Sequence, residues 1–202
     1  MTKSIINLNL LLAMLFTLWC TTPLQAAEQE EKPMKWVNAL ELRMINKGFD
    51  NSLTPYTRIP KYLKDSVRPT LWERTQCSSG IGIRFASNSK RIAVRYNLLW
   101  NTHMAHMADT GLKGTDLYRL SDDGMWQYVN TNRPSKSDSI QQKVYVENLA
   151  GDTREFMIYL PLYDGINWLE VGVDEDAEIG LPRIDNPRAA KKVIFYGTSI
   201  LQ

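Results

Sequence analysis

Ser199 is the side chain best placed to do covalent chemistry, and it sits within Val193–Gln202, VIFYGTSILQ. A continuously apolar run there enters a Gly-Thr-Ser turn. A serine carried on a small-residue turn at the end of a buried strand can present its hydroxyl as a nucleophile. The plain alternative is a serine that only caps the turn. Nucleophilic use needs a histidine to accept the proton, an acid to orient that histidine, and donors for the tetrahedral oxyanion.

Other reactive side chains carry less. His103 and His106, three apart, could share a helix face and hold a metal. However, NTHMAHMADT offers no third ligand, and its methionines favour packing, so no metal is expected. Asp174, Glu175, Asp176 and Glu178 cluster without a calcium-loop spacing and read as a solvated turn. Cys77 has no histidine near it in sequence and reads as a small buried hydrophobe. No cofactor is expected.

The first residues form a leader. Lys3 gives a basic start, Leu10–Cys20 an apolar stretch, and Ala26 and Ala27 a small-residue cleavage site. The stretch is shorter than the roughly 20 residues that span a bilayer, so no membrane span is expected. Residues 1–27 are therefore expected to be a signal peptide, and the protein to be exported to a periplasmic or extracellular compartment. Cys20 leaves with the leader, so no disulfide can form within the remaining chain.

The 202 residues carry a net charge of +2 and are 44% hydrophobic. That composition supports a sizeable core; the mixed charge is no argument for a polyanionic partner and no basic stretch alternates with aromatics, so no nucleic acid is expected. The elements that would position any site are mainly strands. Ile81, Ile83 and Phe85 share one face, as do Ile92, Val94, Tyr96, Leu98 and Trp100. Val144 with Val146, then Phe156, Ile158 and Leu160, then Leu169, Val171 and Val173 repeat the period of two. This is the pattern of antiparallel strands buried on one face. Asp122-Asp123-Gly124 between DLYRL and MWQYV predicts a hairpin. Asp116 is expected to be buried and bonded to backbone, and Tyr118 to be packed. Lys61–Val67 predicts a short helix stopped by Pro69, inside an otherwise irregular stretch from Trp36. The expected fold is mainly β, an antiparallel β-sandwich of jelly-roll type over residues 34–180.

After a proline-bearing linker at 181–191, GLPRIDNPR at its start, the pattern changes. Val193–Tyr196 is apolar at every position, as in a strand buried on both faces of a parallel sheet. Residues 192–202 therefore read as the truncated first strand of an α/β domain.

Tyr196–Ile200, YGTSI, resembles the first block of the SGNH (GDSL-type) hydrolases. Gly114–Tyr118, GTDLY, is similar to the GxDLY signature of the β-sandwich domain N-terminal to one group of these esterases. Tyr56–Pro60, Ser79–Phe85 and His106–Ala108 fall where that domain's landmarks are expected. The resemblance runs from Trp36 to Gln202.

It implies that Ser199 is the nucleophile and a backbone oxyanion donor, with further donors, and an Asp and His three residues apart, from later blocks. Neither His103 nor His106 follows an aspartate at that spacing. The chain as given is therefore expected to be inactive, and the intact protein to hydrolyse small O-acyl esters. Acetyl groups on carbohydrates are the expected substrate, and the chain's own C-terminal catalytic domain the expected partner. The alternative is a non-catalytic carbohydrate-binding module using Trp100, Trp126 and Tyr128, although their alternation with polar neighbours favours the core.

Overall fold

The computed structural model describes residues 33–185, all within one unit that begins at Pro33. The leader and the turn that carries Ser199 lie outside the described residues. Ten strands, all paired antiparallel, make two sheets: β1 (Met34–Asn38), β2 (Arg43–Ile45), β3 (Gly82–Ser87), β4 (Ile92–Leu98), β5 (Asp116–Leu120), β6 (Trp126–Thr131), β7 (Ile140–Val146), β8 (Arg154–Tyr159), β9 (Ile166–Asp174) and β10 (Ile179–Gly180). The four-stranded sheet has the order β1-β9-β4-β7. The six-stranded sheet runs β10-β3-β8-β5-β6, with β2 beside β10 on the same edge of β3. Helices are few: α1 (Pro69–Thr75), α2 (Asp109–Lys113) and two 3-10 segments. Among the described residues no helix is long and apolar enough to cross a membrane.

One hydrophobic core draws on both sheets. Ile83, Phe85, Phe156, Ile158 and Leu117 enter it from the larger sheet, and Ile92, Val94, Tyr96, Leu169, Val171 and Val173 from the smaller. Each such side chain, fully withdrawn from water, contributes roughly 1.5–3 kcal/mol. The Phe85 and Phe156 rings stack with centroids 5.5 Å apart. The expected hairpin forms between β5 and β6, and Gly124 takes a φ of 78° in its turn, a conformation that favours glycine.

Three expectations need correction. On β7 the core takes Tyr145, with the half-buried Val146 packed against it, while Val144 is half-buried and stays outside the cluster. Val144 pairs with Ala93 and Val146 with Ile92, so Tyr145 is the extra residue of a bulge. Trp100 does not continue the face of β4, which ends at Leu98; it is 45% exposed. The short helix expected over Lys61–Val67 forms as a 3-10 segment over Lys61–Ser66, but Pro69 does not stop it: it opens α1, since its fixed φ suits the first helical position. The stretch before it also holds two short strands, β1 and β2.

Candidate functional site

The GxDLY run begins at the end of α2, where the chain is most tightly crossed. A Cβ on Gly114 would overlap Thr110 O and stand 2.9 Å from Asn132 O, so only glycine fits there. Thr115 follows, with its Oγ1 2.5 Å from the Tyr145 hydroxyl and its carbonyl accepting from Asn132 N at 2.9 Å. The Tyr96 hydroxyl donates to Lys113 O at 2.8 Å and accepts from Asn132 Nδ2 at 2.9 Å. Burial raises the Tyr96 and Tyr145 hydroxyls above the ordinary tyrosine range, so both stay protonated.

On the other side of α2, the loop after β4 is fastened from three directions. Asp164, fully buried, accepts from Trp100 N at 3.1 Å and from Thr102 N at 2.6 Å. Lys113, fully buried, donates to Asn101 Oδ1 and stands 3.5 Å from Asp109 Oδ2. Asp109 Oδ1 holds His103 Nδ1 at 2.8 Å. That hydrogen bond from His103, reinforced by the Lys113 ammonium, keeps the Asp109 carboxyl below the usual carboxylate range.

His103 is thus an exposed imidazole oriented by a carboxylate. It has the base-and-orienter half of an acyl-transfer site. Among the described residues no hydroxyl or thiol is hydrogen-bonded to its ring. His106 is exposed, on the turn bridged by Met104 and Met107. The six-residue spacing of His103 and Asp109 is set by the loop rather than by a helix, so no sequence period announces it.

Asp116 and Tyr118, the polar and aromatic members of the motif, turn away from the core. Leu117 between them is fully buried. Asp116 is half-buried and accepts from Thr131 Oγ1 at 2.5 Å, so the expected backbone partner is replaced by a side chain on the paired strand. Tyr118 meets Tyr128 edge-on at 5.8 Å and Tyr159 at 5.6 Å. Tyr128 is 58% exposed, which corrects its expected place in the core; Trp126 is half-buried.

The same outer face receives the chain as it leaves β10. Glu155 Oε1 accepts from Arg183 N at 2.6 Å and Ile184 N at 3.0 Å. Glu155 Oε2 accepts from Arg84 Nη2 at 3.1 Å, and Arg84 Nη2 also donates to Ile184 O at 2.7 Å. The Arg84 guanidinium lies 5.4 Å from the centre of the Trp126 ring. Leu120 and Met157, on the side of this sheet away from the core, are also buried.

Cys77 is buried and free, as expected, and burial raises its thiol pKa. Asp174 is not part of a solvated acidic turn: it binds Arg91 Nε at 2.6 Å and Ser89 Oγ at 2.9 Å. Glu175, Asp176 and Glu178 are exposed. No three His, Cys, Asp or Glu side chains converge as metal ligands among the described residues. Ser199 lies outside them.

A family model described as GxDLY, N-terminus of Esterase_SGNH_hydro-type, matches residues 34–179. Among solved structures, the chain is similar to a candidate GDSL-like lipase from Bacteroides ovatus ATCC 8483, with 30% identity and a TM-score of 0.69. That match covers 74% of this chain and 43% of the other. The salicylyl-acyltransferase SsfX3 from a tetracycline biosynthetic pathway shares the fold at 14% identity and a TM-score of 0.54, over 75% of this chain and 42% of its own. The chain therefore spans under half the length of either protein. No curated protein matches the sequence.

Proposed function

Because the chain belongs to the GxDLY family, the N-terminus of SGNH-type esterases, we propose that it is the accessory domain of an exported serine ester hydrolase. The observation that carries this reading is the family match over residues 34–179, after which the sequence runs through Gly197-Thr198-Ser199. In this reading the two sheets form a jelly-roll sandwich over 34–180. Residues 181–191 link it to an α/β domain whose first strand begins at residue 192.

Ser199 Oγ attacks the acyl carbon of a small ester, an O-acetyl group on a carbohydrate by preference. A histidine of the following domain takes the hydroxyl proton and returns it to the leaving alcohol. The Ser199 backbone N–H donates to the oxyanion as the tetrahedral centre forms. Water then releases the acyl group. Residues 1–27 direct export.

The test is hydrolysis of a chromogenic acetyl ester by the full-length protein. Ser199→Ala is expected to lower kcat by several orders of magnitude, the usual consequence of removing a triad member. A variant that keeps its rate would overturn the assignment.

A further inference from the structure

The outer face of the six-stranded sheet is not the polar surface expected of a one-sided sheet. Its central row, strand by strand, is Arg84, Met157, Tyr118 and Tyr128, with Tyr159, Asp116 and Thr131 in the next. Half of this face is covered by Leu181–Asp185, held through Glu155 and Arg84. The other half, around Tyr118 and Tyr128, is left partly open.

We propose that this open half seats the chain that continues from Asp185, so that Asp116 and Tyr118 of the GxDLY motif hold the lead-in to the following domain. The inference rests on the proposed reading that a further domain follows, and not on the ester chemistry of that domain.

Four observations converge on that occupant. Direction is the first: from Gly180 beside Ala86 on β3, the chain crosses inward to Glu155 on β8, and the next strands are β5 and β6. Strands lie about 4.8 Å apart, so Tyr118 is roughly 10 Å beyond Arg84, within reach of about three extended residues. The second is continuity, since the face already binds the backbone at 183 and 184.

Third, Arg84 Nε is buried without an acceptor among the described residues. Buried donors are almost always satisfied, so a further acceptor belongs above it. Charge is the fourth. Asp116 has no cationic partner among the described residues, and the sequence that follows is basic at Arg188, Lys191 and Lys192.

Trypsin cuts after those three basic residues, which makes the seat measurable in the full-length protein. Cleavage there is expected to be about tenfold slower than in a free peptide of residues 186–202, because a docked segment must open before it is cut. Tyr128→Ser and Asp116→Asn are each expected to restore much of the peptide's rate. Unchanged far-ultraviolet circular dichroism confirms that both variants fold. Peptide-like cleavage of the unmodified protein would overturn the proposal. So would protection unmoved by either variant, which assigns it to the following domain alone, or protection lost on dilution, which assigns the face to a second copy. Protection displaced by an added oligosaccharide would also overturn it in favour of a sugar site.

Discussion

Asp109 Oδ2 and Lys113 Nζ stand 3.5 Å apart, one turn of α2 from each other, with the lysine wholly withdrawn from solvent. Lysine is among the residues least often buried, and here it ties Asn101 of the loop after β4 to Asp109 at the start of α2. Lys113→Ala removes one partner of a largely buried pair and is expected to cost about 2–5 kcal/mol in urea unfolding. Amide exchange in residues 99–109 should rise before the rest of the domain responds.

Gly114→Ala is expected to be among the most damaging small substitutions. The new methyl group would meet backbone oxygens of Thr110 and Asn132 rather than a flexible side chain, so the strands themselves must shift. A loss of more than about 2 kcal/mol is expected, against a few tenths for a glycine in open space. Thermal unfolding of the pair Gly114→Ala and Gly48→Ala makes the comparison, since nothing lies near Gly48.

Period-two patterning made β3, β4, β8 and β9 legible because each presents one apolar face to a single core. β7 was misread for a physical reason. It is an edge strand with a bulge, and two of its buried positions serve polar closure: Tyr145 meets Thr115, and Gln141 accepts from Ser135 N at 2.7 Å. The GxDLY run was legible as a motif but not in its orientation, since Asp116 looks equally natural facing in or out. Glu155 and Arg84 read as ordinary solvated charges; the segment that buries them lies some thirty residues beyond Glu155 and a hundred beyond Arg84, and leaves no period.

Glu155→Ala leaves the Arg84 guanidinium, 9% exposed, beside no carboxylate. Breaking a buried ion pair from one side costs about 3–5 kcal/mol. Tryptic cleavage after Arg183 should accelerate as well, because the carboxylate is what holds that backbone. Loss of stability without faster cleavage would show that the segment is held by something else.

The Asp174 carboxyl sets an acid limit. Burial pulls its pKa up, but hydrogen bonds from Arg91, Ser89 and the amides of Arg91 and Lys90 outweigh that and keep it below the usual range. Its contribution is therefore complete above the unfolded value of about 3.9 and fades as pH falls through the lower folded value. Asp174→Asn should be the less stable protein at pH 6, and the gap should narrow as pH falls below the unfolded value. A gap that stays constant with pH would contradict this.

Two fragments from opposite ends of the sheet-forming chain, Arg43–Ile45 and Ile179–Gly180, lie in line along the same flank of β3. A bare strand flank is a template for pairing with a neighbouring molecule. During synthesis that flank stays half open from the emergence of β3 until residue 180 is made, nearly a hundred residues later. The nascent protein therefore carries an adhesive edge through a long stretch of its elongation, so crowding and slowed translation should cost yield far more than they cost the finished fold.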